Sequence, residues 1–209
     1  MKHPKVFLIG IAGGSGSGKT SFLRELLHHF PESDISLVSQ DNYYLPIEKQ
    51  LVDENGVTNF DLPTSIDREH FYNDMMSLVG GQPIELLEYN FNNPTRGPKK
   101  VTMQPAPVVI MEGLFVFHYE EIRKQLDYKV YIDVHHDERL QRRIKRDQQE
   151  RGYPEHEVVY QWHNHVRPAE EKYLDPYIKK CDLIVDNTEH FKEGLIKLTD
   201  QISVFLQNK

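Results

Sequence analysis

Cysteine is almost missing from this chain of 209 residues, with Cys181 the single one. A lone thiol forms no internal disulfide and no multi-thiolate zinc site, which fits a reducing compartment. Long apolar runs are missing too. The longest, such as residues 6–9 and 108–111, fall far short of the ~20 residues that span a bilayer. There is no excess of positive charge either, because 25 Lys and Arg stand against 32 Asp and Glu, a formal net charge of −7. A general electrostatic grip on nucleic acid or on an anionic membrane is therefore disfavoured, and any anionic ligand needs a local site. The first five residues lead into a glycine-rich run rather than into the apolar segment of a signal peptide. A cytoplasmic protein with no nucleic-acid or membrane partner is expected. No repeat or low-complexity tract is visible, and a hydrophobic content of 38% supports one sizeable core.

What is present is an alternation of short apolar strands with helical patterns. Residues 6–12 form an apolar run bounded by glycines, the pattern of a strand buried on both faces of a parallel sheet. Phe22, Leu23, Leu26, Leu27 and Phe30 then recur at helical spacing, and Pro31 ends the run. Further strands are expected at 35–38, 108–111, 130–134 and 183–185. Helices are expected at 68–79, stopped by Gly80 and Gly81, at 137–151, from 155 towards 173, and at 196–206. Residues 40–63 show no clear period. Two apolar stretches at 84–89 and 101–103, separated by Asn92, Asn93, Pro94 and Gly97, suggest a hairpin. The expectation is a single α/β domain over residues 1–209, three layers around a parallel sheet, with a small hairpin lobe at about 82–104.

Gly13, Gly14, Ser15, Gly16, Ser17, Gly18, Lys19 and Thr20 fit the G-x-x-x-x-G-K-[ST] pattern between a predicted strand and a predicted helix. Glycines let successive backbone N–H groups and the helix N-terminus face phosphates; Lys19 adds a point charge and Thr20 an oxygen for Mg²⁺. A plain flexible turn would need neither Lys nor Thr there. Ligands in open α/β sheets sit beyond the carboxyl ends of the strands, which draws attention to Asp41 after the second strand and Glu112 after the third. Asp41 is suited to accept a proton from an acceptor hydroxyl; the competing role is a turn or helix cap. Glu112 ends a Val-Val-Ile-Met strand, the setting of an acidic residue that organises Mg²⁺, with a solvated strand-end carboxylate as the alternative.

Arg139, Arg142, Arg143, Arg146 and Arg151 crowd one helix with Asp137, Glu138, Asp147 and Glu150. Some of these arginines serve intrahelical ion pairs, while others are expected to clamp phosphates through their bidentate forks. The segment at about 137–165 is therefore read as an arginine-rich helical lid. Histidine pairs such as His135-His136 lack the spacing of metal ligands on one helix face, so zinc is not expected. Trp162, Tyr160 and Tyr173 read as packing residues.

These residues together make the chain resemble the uridine kinase (uridine–cytidine kinase) family, within the wider uridine kinase and phosphoribulokinase group. The landmarks are the phosphate loop, Ser39-Gln40-Asp41-Asn42-Tyr43-Tyr44, Asn59-Phe60-Asp61-Leu62-Pro63, Tyr89-Asn90-Phe91, Glu112-Gly113-Leu114, Arg142-Arg143-Ile144-Lys145-Arg146-Asp147 and Glu150-Arg151-Gly152. The resemblance implies a P-loop NTPase fold and an enzyme that uses ATP or GTP with Mg²⁺ to phosphorylate the 5′-hydroxyl of uridine and of cytidine in pyrimidine salvage. Asp41 would be the base; Asp61 with Arg146 would grip the ribose hydroxyls. Tyr44, Phe60, Tyr89 and Phe91 would line the base pocket, Arg143 and Arg151 would face the phosphates or sugar, and Gln161 would lie near the acceptor. A homotetramer is also implied. Two positions depart from the pattern: Pro94 replaces a histidine that reads the pyrimidine edge, and Tyr153 replaces an arginine. A relaxed or shifted base preference is the consequence expected. The alternatives are a related kinase of another nucleoside, a sugar phosphate or pantothenate, and a nucleotide-dependent switch whose arginine-rich segment contacts a partner protein.

Overall fold

The computed structural model of the chain describes residues 6–88 and 99–209. Strand β1 (Phe7–Ala12) is buried at every position and leads through the glycine-rich loop into α1 (Lys19–His28), which buries Phe22, Leu23 and Leu26. Then come β2 (Ile35–Ser39), a short antiparallel ribbon of β3 (Leu51–Val52) and β4 (Thr58–Asn59), α2 (Arg68–Val79), and a second antiparallel pair, β5 (Ile84–Glu88) and β6 (Lys99–Met103). The remainder runs β7 (Val108–Glu112), α3 (Glu120–Arg123), β8 (Tyr128–Asp133), α4 (His136–Arg151), α5 (Glu155–Gln161), α6 (Arg167–Tyr173), α7 (Asp175–Ile178), β9 (Leu183–Asp186) and α8 (Lys192–Gln207).

Five strands form one parallel sheet in the order β2-β7-β1-β8-β9. Side chains alternate across it, as the two-residue period of a strand requires. Phe7, Ile9 and Ile11 pack with Phe22 and Leu26 of α1 and with Leu195, Leu198 and Ile202 of α8; on the other face Leu8 and Ala12 join Phe71, Met75 and Leu78 of α2. The three-layer α/β architecture is thus built by two cores on one sheet. All the strands point the same way, so their carboxyl ends line one edge. The chain turns towards β2 on one side of β1 and towards β8 on the other, which opens a crevice beyond β1 at that edge.

The structure refines three sequence expectations. The stretch from 155 is helical through to Tyr173, but α5 passes into a π-helical turn, Trp162–Val166, before α6. Pro168 near the start of α6 has no N–H to donate to the preceding turn, which accounts for the break in the regular ladder. Helix α8 begins at Lys192 rather than 196, because Gly194 lets its first turn sit on Val185; a Cβ there would lie 2.5 Å from both Val185 methyls. The stretch without period, 40–63, is ordered by two 3₁₀ turns and the β3–β4 ribbon, where side-chain hydrogen bonds replace a hydrophobic pattern. Among the described residues no helix is long and apolar enough to cross a membrane.

Candidate active site

The phosphate-binding motif occupies the crevice. Gly16 and Gly18 have φ of 78° and 85°, a left-handed backbone that disfavours side chains, and a Cβ on Gly16 would approach the Arg139 carbonyl oxygen to 2.4 Å. The loop is pinned from three sides: Ser17 N–H donates to the Gly14 carbonyl at 3.1 Å, Asn187 Nδ2 to the Ser17 carbonyl at 2.9 Å, and Lys19 Nζ to the Gly13 carbonyl at 2.8 Å. Among the described residues Ser17 Oγ is buried without a hydrogen-bond partner, which fits a cradle whose remaining partner comes from an anionic ligand. Thr20 is exposed at the start of α1.

Beside the loop stand two carboxylates. Ser39 and Glu112 are register partners across β2 and β7, and the Ser39 hydroxyl donates to Glu112 Oε1. Burial first, and then the neighbouring Asp41 charge, push the Glu112 carboxyl up to about 7 against the pull of Lys19. The protein around Asp41 raises its carboxyl as well, opposed by Lys19, Arg151 and Arg146. Asp41 nevertheless keeps an open side to solvent. It is not the cap of its turn: that role belongs to Ser39, whose Oγ accepts the Asp41 N–H at 3.3 Å. The oxygen donors Thr20 and Glu112 suit a hard divalent cation, which would also relieve the repulsion between Glu112 and Asp41. Among the described residues no three His, Cys, Asp or Glu side chains gather into a metal cage. Mg²⁺ bound to nucleotide phosphates needs only one or two protein carboxylates.

The arginines of α4 divide into two groups. Arg139 is buried and bonds Glu170 through both guanidinium arms, Nη2 to Oε2 at 2.8 Å, with Trp162 stacked 5.4 Å away. A Cβ on Gly14 would fall 1.7 Å from Arg139 Nη1, so this pair is the floor of the loop rather than a phosphate ligand. Arg142 donates to the carbonyls of Asn187 and Thr188 at 3.1 and 3.0 Å and braces the segment after β9. The other three surround the buried Asp147: Arg146 Nε at 2.8 Å, Arg143 Nε at 3.3 Å and Arg151 Nε at 3.5 Å. Three guanidinium groups around one carboxylate leave surplus positive charge towards Asp41 and Asp61. Arg143 also reaches Ser15 Oγ at 3.2 Å and Gln161 Oε1 at 3.0 Å.

Asp61 follows β4 and has its N–H held by Asn59 Oδ1 at 2.9 Å. Burial raises its carboxyl, while Arg143, His165 and Arg146 draw it down. Tyr44 and Phe60 meet edge to face, 5.9 Å between centroids. Tyr89, Phe91 and Pro94 lie outside the described residues. Tyr153 is 39% exposed just past the end of α4. Sequence reading overlooked Ser39 as the partner of Glu112, Asn187 as a tie to the loop, and Asp53 with His165. The Asp53-Glu54-Asn55-Gly56 turn was the one signal that could have pointed to Asp53.

The sequence pattern of the phosphoribulokinase/uridine kinase family matches residues 8–192. The uridine kinase of Staphylococcus carnosus is 35% identical, over 97% of both chains. That of Deinococcus deserti is 36% identical over 88% of each. Among solved structures, a possible uridine kinase from Bacillus stearothermophilus superposes with a TM-score of 0.58 at 20% identity, covering 88% of this chain and 90% of that one. D-glycerate 3-kinase from Cryptococcus neoformans reaches 0.61 at 17%, covering 87% and 86%. At such identities these two structures speak for the fold alone.

Proposed function

Because the chain belongs to the phosphoribulokinase/uridine kinase family and is a uridine kinase-like phosphotransferase, we propose that it transfers the terminal phosphoryl group of ATP or GTP to the 5′-hydroxyl of uridine and cytidine, as in pyrimidine salvage. One observation carries this reading. Asp41 and Glu112 stand with Lys19 at the strand ends, and Asp61 shares the field of Arg146 with Asp41.

In the proposed reaction the loop backbone, Lys19, Arg143 and Arg151 hold the phosphates, and Asp61 with Arg146 accepts the ribose diol. Asp41 takes the proton of the 5′-hydroxyl as its oxygen bonds the terminal phosphorus, and the bond to the bridging oxygen breaks to release the diphosphate. Mg²⁺ would be held by Thr20 and Glu112 and would neutralise charge on the phosphate oxygens. Gln161 steadies Arg143 beside the acceptor. Tyr44 and Phe60 are read as the wall of the base pocket, with Tyr89 and Phe91 completing it. A single domain with a lid at about 137–165, working as a cytoplasmic homotetramer, completes the proposal on the ground of the resemblance.

The test is a screen for acceptor-dependent ADP formation with ATP and Mg²⁺ against uridine, cytidine, deoxyuridine, adenosine, pantothenate and sugar phosphates. Uridine and cytidine are expected to respond, with deoxyuridine about 10- to 100-fold lower in kcat/KM, since a missing hydroxyl leaves the Asp61 carboxylate short of a hydrogen bond. With Pro94 in place of a base-reading histidine, the preference over adenosine should be small. A response to pantothenate or a sugar phosphate alone would retain phosphoryl transfer and discard the nucleoside. Slow hydrolysis indifferent to every acceptor would point to a switch.

A further inference from the structure

The β3–β4 ribbon and the π turn lie outside the phosphate cradle, and they meet at one carboxylate. Asp53 Oδ1 accepts the backbone N–H groups of Asn55 and Val57, both at 2.9 Å. Its Oδ2 accepts the Tyr160 hydroxyl at 2.8 Å and faces His165 Nε2 at 2.7 Å. Asn55 Nδ2 donates in turn to the Tyr160 oxygen at 2.7 Å. Every lone-pair position of the carboxylate is engaged. Burial alone would raise the Asp53 carboxyl, but the bonds from Val57, Tyr160, His165 and Asn55 outweigh it and hold the group ionised, well below the usual carboxylate range.

Two features give this knot more than a local role. A ribbon with two residues per strand is too short to persist in water, and Leu51 and Val52 are 58% and 59% exposed, so little apolar burial holds it. Its placement depends on polar ties, namely the Asp53 knot and Gln50, whose Nε2 donates to the carbonyls of Leu45 and Ser65 at 2.7 and 3.2 Å. The second feature is the spacing of Tyr160 and His165. Five residues apart on a helix of 3.6 residues per turn, they would face different sides. The widened turn brings their rings to 5.9 Å between centroids, edge to face, and both reach the same carboxylate.

The two sides of the knot lead to the two halves of the site. β4 ends at Asn59, which holds the Asp61 N–H, while Gln161, next to Tyr160, holds Arg143 against Ser15 of the phosphate loop. We propose that Asp53, Tyr160 and His165 form a latch that fixes the acceptor-binding ribbon to the arginine-bearing lid and so sets the distance from Asp61 to Arg143 and the phosphate loop. They are positioning residues, and the proposal rests on Asp61 being the acceptor-binding carboxylate.

Steady-state kinetics of Asp53→Ala, His165→Ala, the double variant, His165→Gln and Tyr160→Phe, each with a melting curve, test the latch. At saturating ATP, Asp53→Ala and His165→Ala should raise KM for uridine about tenfold, leave KM for ATP within about twofold, and combine in the double variant without further loss. His165→Gln, which keeps an N–H donor, should recover most of the deficit. If Asp53→Ala does not fold, Tyr160→Phe removes one hydroxyl and should still raise KM for uridine about two- to threefold. Folded variants with an unchanged KM for uridine, equal rises for uridine and ATP, or additive losses in the double variant would overturn the latch. Failure of the nucleoside reading itself would show in the unaltered protein, as absence of uridine-dependent ADP formation.

Discussion

Replacing Asp41 with Asn is expected to slow phosphoryl transfer by about 10²–10⁴, the contribution of a general base, while ATP binding changes by no more than about threefold. The substitution keeps the size of the side chain and removes its capacity to take a proton. Its effect on the fold should be small, because the turn at Gln40–Tyr43 is capped by Ser39 and not by Asp41. Glu112 is the nearby carboxylate that could blur the outcome. Its Oε1 is engaged by the Ser39 hydroxyl, which leaves it less free than Asp41 to take a proton. Rapid-quench measurement of the transfer step, set beside equilibrium binding of ATP, separates the two effects. A transfer rate within threefold of the unaltered protein would remove Asp41 from the chemistry.

The second large effect is on stability. Arg139→Ala should destabilise the protein by about 3 kcal/mol, because the buried Glu170 would lose its bidentate partner and keep only Arg167, 3.9 Å away. Loss of the guanidinium also takes away a stacking partner of Trp162 and the floor beneath Gly14. The double variant Arg139→Met/Glu170→Leu should recover much of the loss, since apolar groups of similar volume avoid the desolvation of both charges. Urea unfolding of the single and double variants decides the matter. A double variant as unstable as Arg139→Ala would mean that the arginine supports the loop by shape rather than by pairing with Glu170.

That arginine also marks where sequence reading stops. The glycines and Lys19 of the phosphate loop are recognisable because their spacing follows from backbone geometry, and strands β1 and β7 because burial on both faces makes their residues continuously apolar. Asp41 and Glu112 are recognisable from their place directly after such strands. Nothing along α4 separates Arg139 and Arg142 from Arg143, Arg146 and Arg151. The division depends on which face of the helix meets the loop floor, the segment after β9 or the open cleft, and that is a tertiary fact. Asp53 and His165 are hidden for a similar reason: they lie far apart in sequence, and they meet only because a π turn shifts the helix face. The ribbon at Leu51–Val52 and Thr58–Asn59 has too few residues to print an alternating pattern.

Transfer of a phosphoryl group to the ribose 5′-oxygen is the step on which every proposed role depends, and ³¹P NMR of the protein with ATP, Mg²⁺ and uridine observes that bond directly. The predicted spectrum gains ADP and, in equal amount, a phosphomonoester signal split into a triplet by the two 5′-methylene protons. Inorganic phosphate in place of the ester, or an ester signal split by a single ribose proton, would contradict the roles given to Asp41 and Asp61.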